Sequence, residues 1–471
     1  MMSLHEAAPL LAARVAGEGL FSSVGTDSRT VQAGQLFVAL RGDRFDGHDF
    51  VRQAIQAGAG AALVDADWAA LHSDAVFPLL VVADTRQALG MLSGAWRRRF
   101  SLPLIGITGS NGKTTVKEMC ASVLRAWMQE KGLPSAAVLA TSGNFNNDIG
   151  LPLTLLALTA QHRAAVVEMG MNHPGEIAYL TRLAAPTVAL VNNAQRAHLQ
   201  GLGTLSEVAR EKGAIYDGLG DDGIAIVNAD DTYADQWRML NAGRQVISFG
   251  LESNADVRGQ FCPEGLGTRL VLETPYGRIE TVLHLPGKHN VRNAVGTAAA
   301  CLAAGVSLSA VAAGLSACTG AQGRLQPRIG LNGAVILDDS YNANPDSVRA
   351  GIDVLVATPG RKLLVLGDMG ELGQTSAQVH DEIGGYAKSK GVDGLYALGE
   401  MSAIAVRNFG EGGVHFSRLD ELIKALESQL DSNSTVLVKG SRFMRMERVV
   451  DRLVVQGNTA HVKDAVSRHV A

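Results

Sequence analysis

From about Leu102 onward, short apolar runs alternate with stretches of helical periodicity, and this alternation predicts a parallel β-sheet wrapped by crossover helices. Strands are expected at Leu104–Thr108, Ala164–Glu168, Thr187–Asn192 and Ile224–Asn228, and each is followed or closed by Gly, Asn, Asp or Glu. In open α/β sheets the ligand crevice lies beyond the carboxyl ends of the strands, so polar residues gathered there are site candidates before any motif is considered. Between Ala255 and Leu285 the residues alternate around a Pro-Tyr-Gly turn, which predicts an antiparallel insertion, and helices follow at Val291–Ala304 and Leu308–Leu315. A second α/β series is expected from Gly333, with strands at Ala334–Leu337, Lys362–Leu366, Gly394–Leu398 and Thr435–Val438. A smaller α/β unit with strands Gln35–Leu40 and Ala61–Val64 precedes Leu102. The expected architecture is α/β in three domains, 1–102, 103–319 and 320–471. A chain of 471 residues suits that number.

Composition narrows the class. Apolar residues make up 46% and charged residues 19%, which supplies packed cores and excludes a disordered chain. A net charge of −4 lacks the basic excess of a phosphate-backbone binder, so no nucleic-acid partner is expected. No apolar run reaches the roughly 18–20 residues of a membrane span, and the opening MMSLHEAAPLLAARVAG carries His5 and Glu6 where a signal peptide would carry basic residues, its apolar stretch broken by Arg14, so no secretion signal is expected. Cys120, Cys262, Cys301 and Cys318 lack CxxC spacing and read as buried free thiols, which fits a cytoplasmic protein.

The strongest local signal is LIGITGSNGKTTVKEM, a strand running through a glycine turn into a helix, as in a phosphate-binding loop. The common GxxxxGK[ST] spacing would place glycine at 107, where this chain has Ile107, so the loop is a variant. Gly109, Ser110, Asn111 and Gly112 bring backbone close to phosphate oxygens, Lys113 reaches the terminal phosphates, and Thr114 and Thr115 open the helix, Thr114 placed to ligate Mg²⁺.

TGSNGKTT at 108–115, followed by GNFNNDIGLPLT at 143–154, EMGMNHPGEI from Glu168, the AHL around His198, EVAREKG to Lys212, GKHNVRN from Gly287, GR at 323–324 and DDSYNANPDS from Asp338, resembles the Mur ligases over nearly the whole chain. These are ATP-dependent amide-bond-forming enzymes of peptidoglycan synthesis. NFNNDIGLP and LGDMGELG (366–373) look like the members that join D-alanyl-D-alanine to UDP-N-acetylmuramoyl-tripeptide, which implies those two substrates, ATP and Mg²⁺. An alternative is another Mur-type ligase, adding diaminopimelate or lysine or resembling folylpolyglutamate synthase. A nucleotide-driven switch without catalysis is a reading from a different class. A monomer is expected.

The resemblance implies roles for particular residues. Glu168, His198 and Lys212 would hold metal, Lys212 as a carbamate, although Ala214 stands where the family usually has a glutamate two residues after that lysine. Read alone, Glu168 is a strand terminus, His198 a loop histidine and Lys212 a charge on a helix face. Asn293 would contact adenine, or with Asn290 cap a helix. Arg324 at the domain junction would contact the terminal phosphate, with Asp339 and Tyr341 at ribose and adenine; otherwise DDSYNANP is a polar turn. Ser28 and Arg29 match the UDP-holding region or a hairpin turn, and Asn144, Asn146 and Asn147 the substrate loop. Lys439, Arg442 and His380 rank lower.

Overall fold

The structure is a computed structural model and describes residues 1–197 and 199–455. It has the three-part α/β architecture expected: each part is built on its own twisted, mostly parallel sheet.

The central sheet has nine strands, ordered Gly277–Leu283, Gly267–Thr274, Val257–Glu264, Gln245–Gly250, Ile224–Asn228, Val188–Val191, Leu104–Thr108, Ala164–Glu168, Val138–Ala140. All neighbouring pairs from Val257–Glu264 to Val138–Ala140 are parallel, and the last two hairpin pairings are antiparallel. The Pro-Tyr-Gly insertion is therefore an extension of the main sheet. Its strands Leu104–Thr108, Ala164–Glu168 and Val188–Val191 carry almost only apolar residues because both faces are covered. Helices Lys113–Glu130, Lys288–Ala303 and Leu308–Ala317 pack on one face around Val116, Val123, Val295 and Leu315. Helices Gly150–Leu156, Glu176–Ala184 and Leu205–Gly213 cover the other around Leu151, Ile177, Val208 and Trp237.

Leu104–Thr108 lies between Ala164–Glu168 and Val188–Val191, Ile107 opposite Glu168 and Thr108 opposite Val191. Successive strands depart from it to opposite sides, so a crevice opens at its carboxyl end, where the glycine loop begins.

The N-terminal part is a five-stranded sheet, Arg14–Ala16, Leu79–Val82, Ala61–Asp65, Gln35–Val38, Ser23–Gly25, with only the first pairing antiparallel. The C-terminal part is a six-stranded sheet, Gln326–Ile329, Val335–Asp339, Ser434–Lys439, Arg361–Gly367, Gly394–Leu398, Gly413–Phe416, again with one antiparallel edge. Cys120, Cys301 and Cys318 are buried free thiols as expected; Cys262 is exposed, because it sits on the solvated side of the hairpin extension. Among the described residues no helix is long and apolar enough to cross a membrane.

Candidate active site

The loop 109–112 turns sharply between strand and helix. Gly112 has φ +78°, and a Cβ there would sit 2.5 Å from Asn293 Oδ1 and 2.6 Å from Asn192 Nδ2, so glycine is required for both conformation and space. The turn is braced from behind. Asn192 Nδ2 donates to the Asn111 carbonyl (2.9 Å) and to Asn293 Oδ1 (2.8 Å), and Asn293 Nδ2 donates to Asn290 Oδ1 (3.2 Å). Asn293, buried at the start of its helix, thus has both ends of its amide engaged in supporting the loop. Asn193 Oδ1 accepts from the Asn111 N–H (2.9 Å), and Ser110 exchanges hydrogen bonds with the Gln195 backbone (3.0 and 2.9 Å). Asn192, Asn193 and Gln195 were not singled out from the sequence; their only signal was a run of amides directly after an apolar strand.

Lys113 lies folded over this loop, its ammonium donating to the Gly109 (2.7 Å) and Ser110 (3.3 Å) carbonyls. Desolvation lowers its pKa; the charges of Glu168 and Glu371 oppose that shift and Arg324 reinforces it. Residues from three distant stretches therefore converge on one lysine.

Glu168 closes its strand fully buried. Its backbone N–H donates to Thr141 Oγ1 (3.0 Å), and its Oε1 accepts from Asn146 Nδ2 (2.8 Å). Its Oε2 is buried with no hydrogen-bond partner among the described residues. A buried carboxylate oxygen without a donor is costly, and one facing a phosphate loop suits a cation. Lys212, also buried, has its pKa pushed well down by desolvation, then by the nearby Lys113 charge, with Glu211 opposing. His198 lies outside the described residues. Among the described residues no three His, Cys, Asp or Glu side chains cluster as a metal site. A Mg²⁺ ion held by one or two protein oxygens plus phosphate oxygens needs no such cluster. The glycine cradle and the orphaned Glu168 oxygen fit a nucleoside triphosphate with Mg²⁺, for which Thr114 and Glu168 would supply protein oxygens.

The opposite wall comes from the C-terminal part. Gly323, at φ +69°, lets Tyr341 approach: its carbonyl accepts from Tyr341 N–H (3.2 Å), and a Cβ would lie 3.1 Å from the Tyr341 Cβ. The Arg324 guanidinium stacks over the Tyr341 ring at 4.2 Å. In this structure one face of Tyr341 is thus taken by Arg324. Asp339 accepts from Leu325 N–H (3.2 Å) and from the buried Lys439 (2.5 Å), which also donates to the Asn342 carbonyl. His380 is a buried structural histidine, Nε2 accepting from Met369 N–H (3.0 Å) while Nδ1 meets the Ser376 carbonyl (2.7 Å). Arg442 pairs with Glu447 (2.9 Å).

The asparagine-rich loop 144–147 borders the same mouth: Asn146 holds Glu168, Asn147 Oδ1 accepts from Gly150 N–H (2.8 Å), and the Asn144 carbonyl accepts from Asn146 N–H (2.7 Å). Ser28 and Arg29 belong to the N-terminal sheet's turn, where Arg29 forks onto Asp27 (2.9 and 2.7 Å) and holds that carboxyl down to about 2.

Family models match in chain order: the Mur ligase family catalytic domain at residues 20–97, the Mur ligase middle domain at 107–301, and the Mur ligase glutamate ligase domain at 323–442. The UDP-N-acetylmuramoyl-tripeptide–D-alanyl-D-alanine ligase of Escherichia coli is 42% identical, over 92% of this chain and 94% of that protein. The chain belongs to the Mur ligase family. The Bacillus subtilis ligase of the same name is 35% identical over 92% of this chain and 93% of that protein. A crystal structure of MurF from Acinetobacter baumannii superposes with a TM-score of 0.87 at 35% identity, covering 96% and 98% of the two chains. MurF from Thermotoga maritima, solved in complex with ADP, gives 0.79 at 26% identity, covering 95% and 98%. In this Mur ligase the glycine loop 109–112 lies within the middle-domain match and Arg324 within the glutamate-ligase-domain match.

Proposed function

We infer that this Mur ligase joins D-alanyl-D-alanine to UDP-N-acetylmuramoyl-tripeptide at the expense of ATP, acting in the cytoplasm in peptidoglycan precursor synthesis. The carrying observation is the full-length similarity to ligases of that specificity, set beside a braced glycine loop on which Lys113, Glu168 and Arg324 converge. The tripeptide carboxylate attacks the terminal phosphorus of ATP, giving an acyl phosphate and ADP. The dipeptide amine then attacks the acyl carbon, phosphate leaves, and the amine's proton is lost. Both steps gather negative charge, so the protein's part is positioning and electrostatic stabilisation. Mg²⁺ would neutralise charge on the transferring phosphoryl group, held by Thr114 and Glu168.

Lys113 would leave the Gly109 and Ser110 carbonyls for the phosphates, and Arg324 would leave Tyr341 to meet them. Asp339 and Tyr341 then line the nucleoside. We assign residues 1–102, with Ser28 and Arg29, to the UDP moiety, 103–319 to ATP, and 320–471 to the closing part. Asn144 and Asn147 border the tripeptide. Lys212 is assigned a carbamate: its amine, driven toward the neutral form by burial, adds to CO₂ with loss of one proton, replacing a repulsive ammonium by a carboxylate. ¹³C-NMR of protein equilibrated with ¹³CO₂ tests it; no carbamate signal, or full activity in Lys212→Ala, overturns it.

The specificity test is ADP release with D-alanyl-D-alanine against meso-diaminopimelate, lysine and glutamate. Turnover with a single amino acid and none with the dipeptide would refute the assignment. Lys113→Ala and Glu168→Ala should each abolish acyl-phosphate formation in a folded protein.

A further inference from the structure

Among the described residues the Glu168 carboxylate takes a hydrogen bond from one side chain, and that side chain belongs to a loop tethered elsewhere. Asn146 Nδ2 donates to Glu168 Oε1 (2.8 Å), while the Asn146 carbonyl accepts from Gly170 N–H (2.8 Å) just past Glu168. Gly170 makes this approach feasible: a Cβ there would lie 3.0 Å from the Asn146 amide. On the far side of the loop, Asp148 receives a two-pronged contact from Arg86, with Nη2 to Oδ1 at 2.8 Å and Nε on Oδ2. Arg86 lies in the first turn of helix Thr85–Arg97, which is part of the N-terminal unit. That helix cannot drift, because Trp96 Nε1 donates to the Leu158 carbonyl (3.0 Å) and Arg97 to the Ala184 carbonyl (3.0 Å).

We propose that Arg86 is a positioning residue for the ligase reaction: through Asp148 it fixes loop 144–149, so that Asn146 holds Glu168 with its second oxygen free for the metal. The inference rests on the reading of Glu168 as a metal ligand. An exposed lone ion pair contributes little. A planar guanidinium fork onto a carboxylate, anchored by a packed helix at one end and a packed loop at the other, fixes both distance and angle. Partners one step removed from a metal ligand commonly set affinity for the ion. The N-terminal unit thereby contributes to a site on the central sheet.

The test is Mn²⁺ binding to the full-length protein in the presence of ADP, read by electron paramagnetic resonance, with thermal melts as the fold control. Asn146→Ala, Arg86→Ala and Asp148→Ala should each weaken Mn²⁺ binding, by about tenfold for the first. Arg86→Ala should add nothing once Asn146 is alanine, because both act on one linkage. Unchanged Mn²⁺ affinity in folded Arg86→Ala, or effects that multiply in the double variant, would overturn the proposal. If the alanine variants do not fold, Arg86→Lys, which keeps the charge and loses the fork, reads the same quantity: weaker binding supports the linkage and wild-type binding overturns it. Glu168→Gln separates the two readings. Wild-type Mn²⁺ affinity there refutes the metal assignment itself, whereas loss in Glu168→Gln with none in Arg86→Ala refutes only the relay.

Discussion

The central unit meets its two neighbours in different ways. Against the N-terminal unit the contact is an interlocked apolar one with polar pairs at its margins. Helix Thr85–Arg97 contributes Leu89 and Leu92 to the N-terminal core, which also takes in Leu156, while Trp96 and Phe100 pack on the central core. Gly90 lies so close to Tyr179 that a Cβ would meet its hydroxyl at 1.9 Å. The buried Arg97 satisfies the carbonyls of Phe100, Ala184 and Ala185. Against the C-terminal unit, apart from Leu266 packed on the C-terminal core and Val354 against Gly287, the contacts are polar. Asn111 and Asn344 exchange amide hydrogen bonds (2.7 and 3.3 Å), Arg196 forks onto Asp346 (3.1 and 2.8 Å) and reaches Glu382, and Gln200 N–H meets the Glu371 carbonyl (3.3 Å). Apolar packing of the first kind is lost only with unfolding, whereas polar pairs can be exchanged for water at little net cost. The first joint makes a fixed block that holds the Glu168 loop. The second suits a part that opens and closes with each turnover.

The largest expected effect breaks the fixed joint. Arg97→Ala strands three carbonyls and leaves a void, and should lower global stability by about 3–5 kcal/mol, measured by urea denaturation with a single transition for the first two units. A loss below 1 kcal/mol would mean that this joint is no stronger than the other. Next, Arg196→Ala should leave the urea midpoint of the block nearly unchanged and expose the junction near Gly320. The measurement is the radius of gyration by small-angle scattering, together with the rate of proteolysis at the junction; an unchanged radius and cleavage rate would show that the polar contacts do not hold the closed form.

The smallest effect sharpens the comparison through pH. His289, on the central unit beside Asp339, Lys439 and Asp353 of the C-terminal unit, is held down to about 4 chiefly by burial. The docked form therefore favours neutral imidazole. Docking is unpenalised above the ordinary histidine value of about 6.5 and weakens progressively as pH falls from there toward about 4. Scattering across that range should show the molecule expanding as pH drops, and His289→Gln should flatten the dependence; an identical profile in the variant would assign the titration elsewhere.

The strands flanking the phosphate loop were legible because a buried parallel strand leaves an unbroken apolar run: Leu104–Thr108, Ala164–Glu168 and Ile224–Asn228 fall where that pattern predicts. Short or edge strands such as Val138–Ala140 and Gly413–Phe416 left too few apolar residues to register. The glycine loop and Glu168 were readable for a related reason, as glycine spacing and a carboxylate ending an apolar run are local signals.

Their supports were not local. Asn192 against Asn293, Arg86 against Asp148 and Arg196 against Asp346 join residues 101, 62 and 150 positions apart. Tyr341 was singled out only through the family resemblance; that Arg324 stacks on it is visible only in the structure. Sequence periodicity and glycine placement by themselves determined the α/β class and the glycine turn at 109–112, because backbone geometry and burial act over a few residues. Which amide braces the turn, which arginine pairs with Asp148 beside the Glu168 loop and which joint is held by polar pairs were decided only by the tertiary structure, because they depend on which strand ends the sheet order brings together.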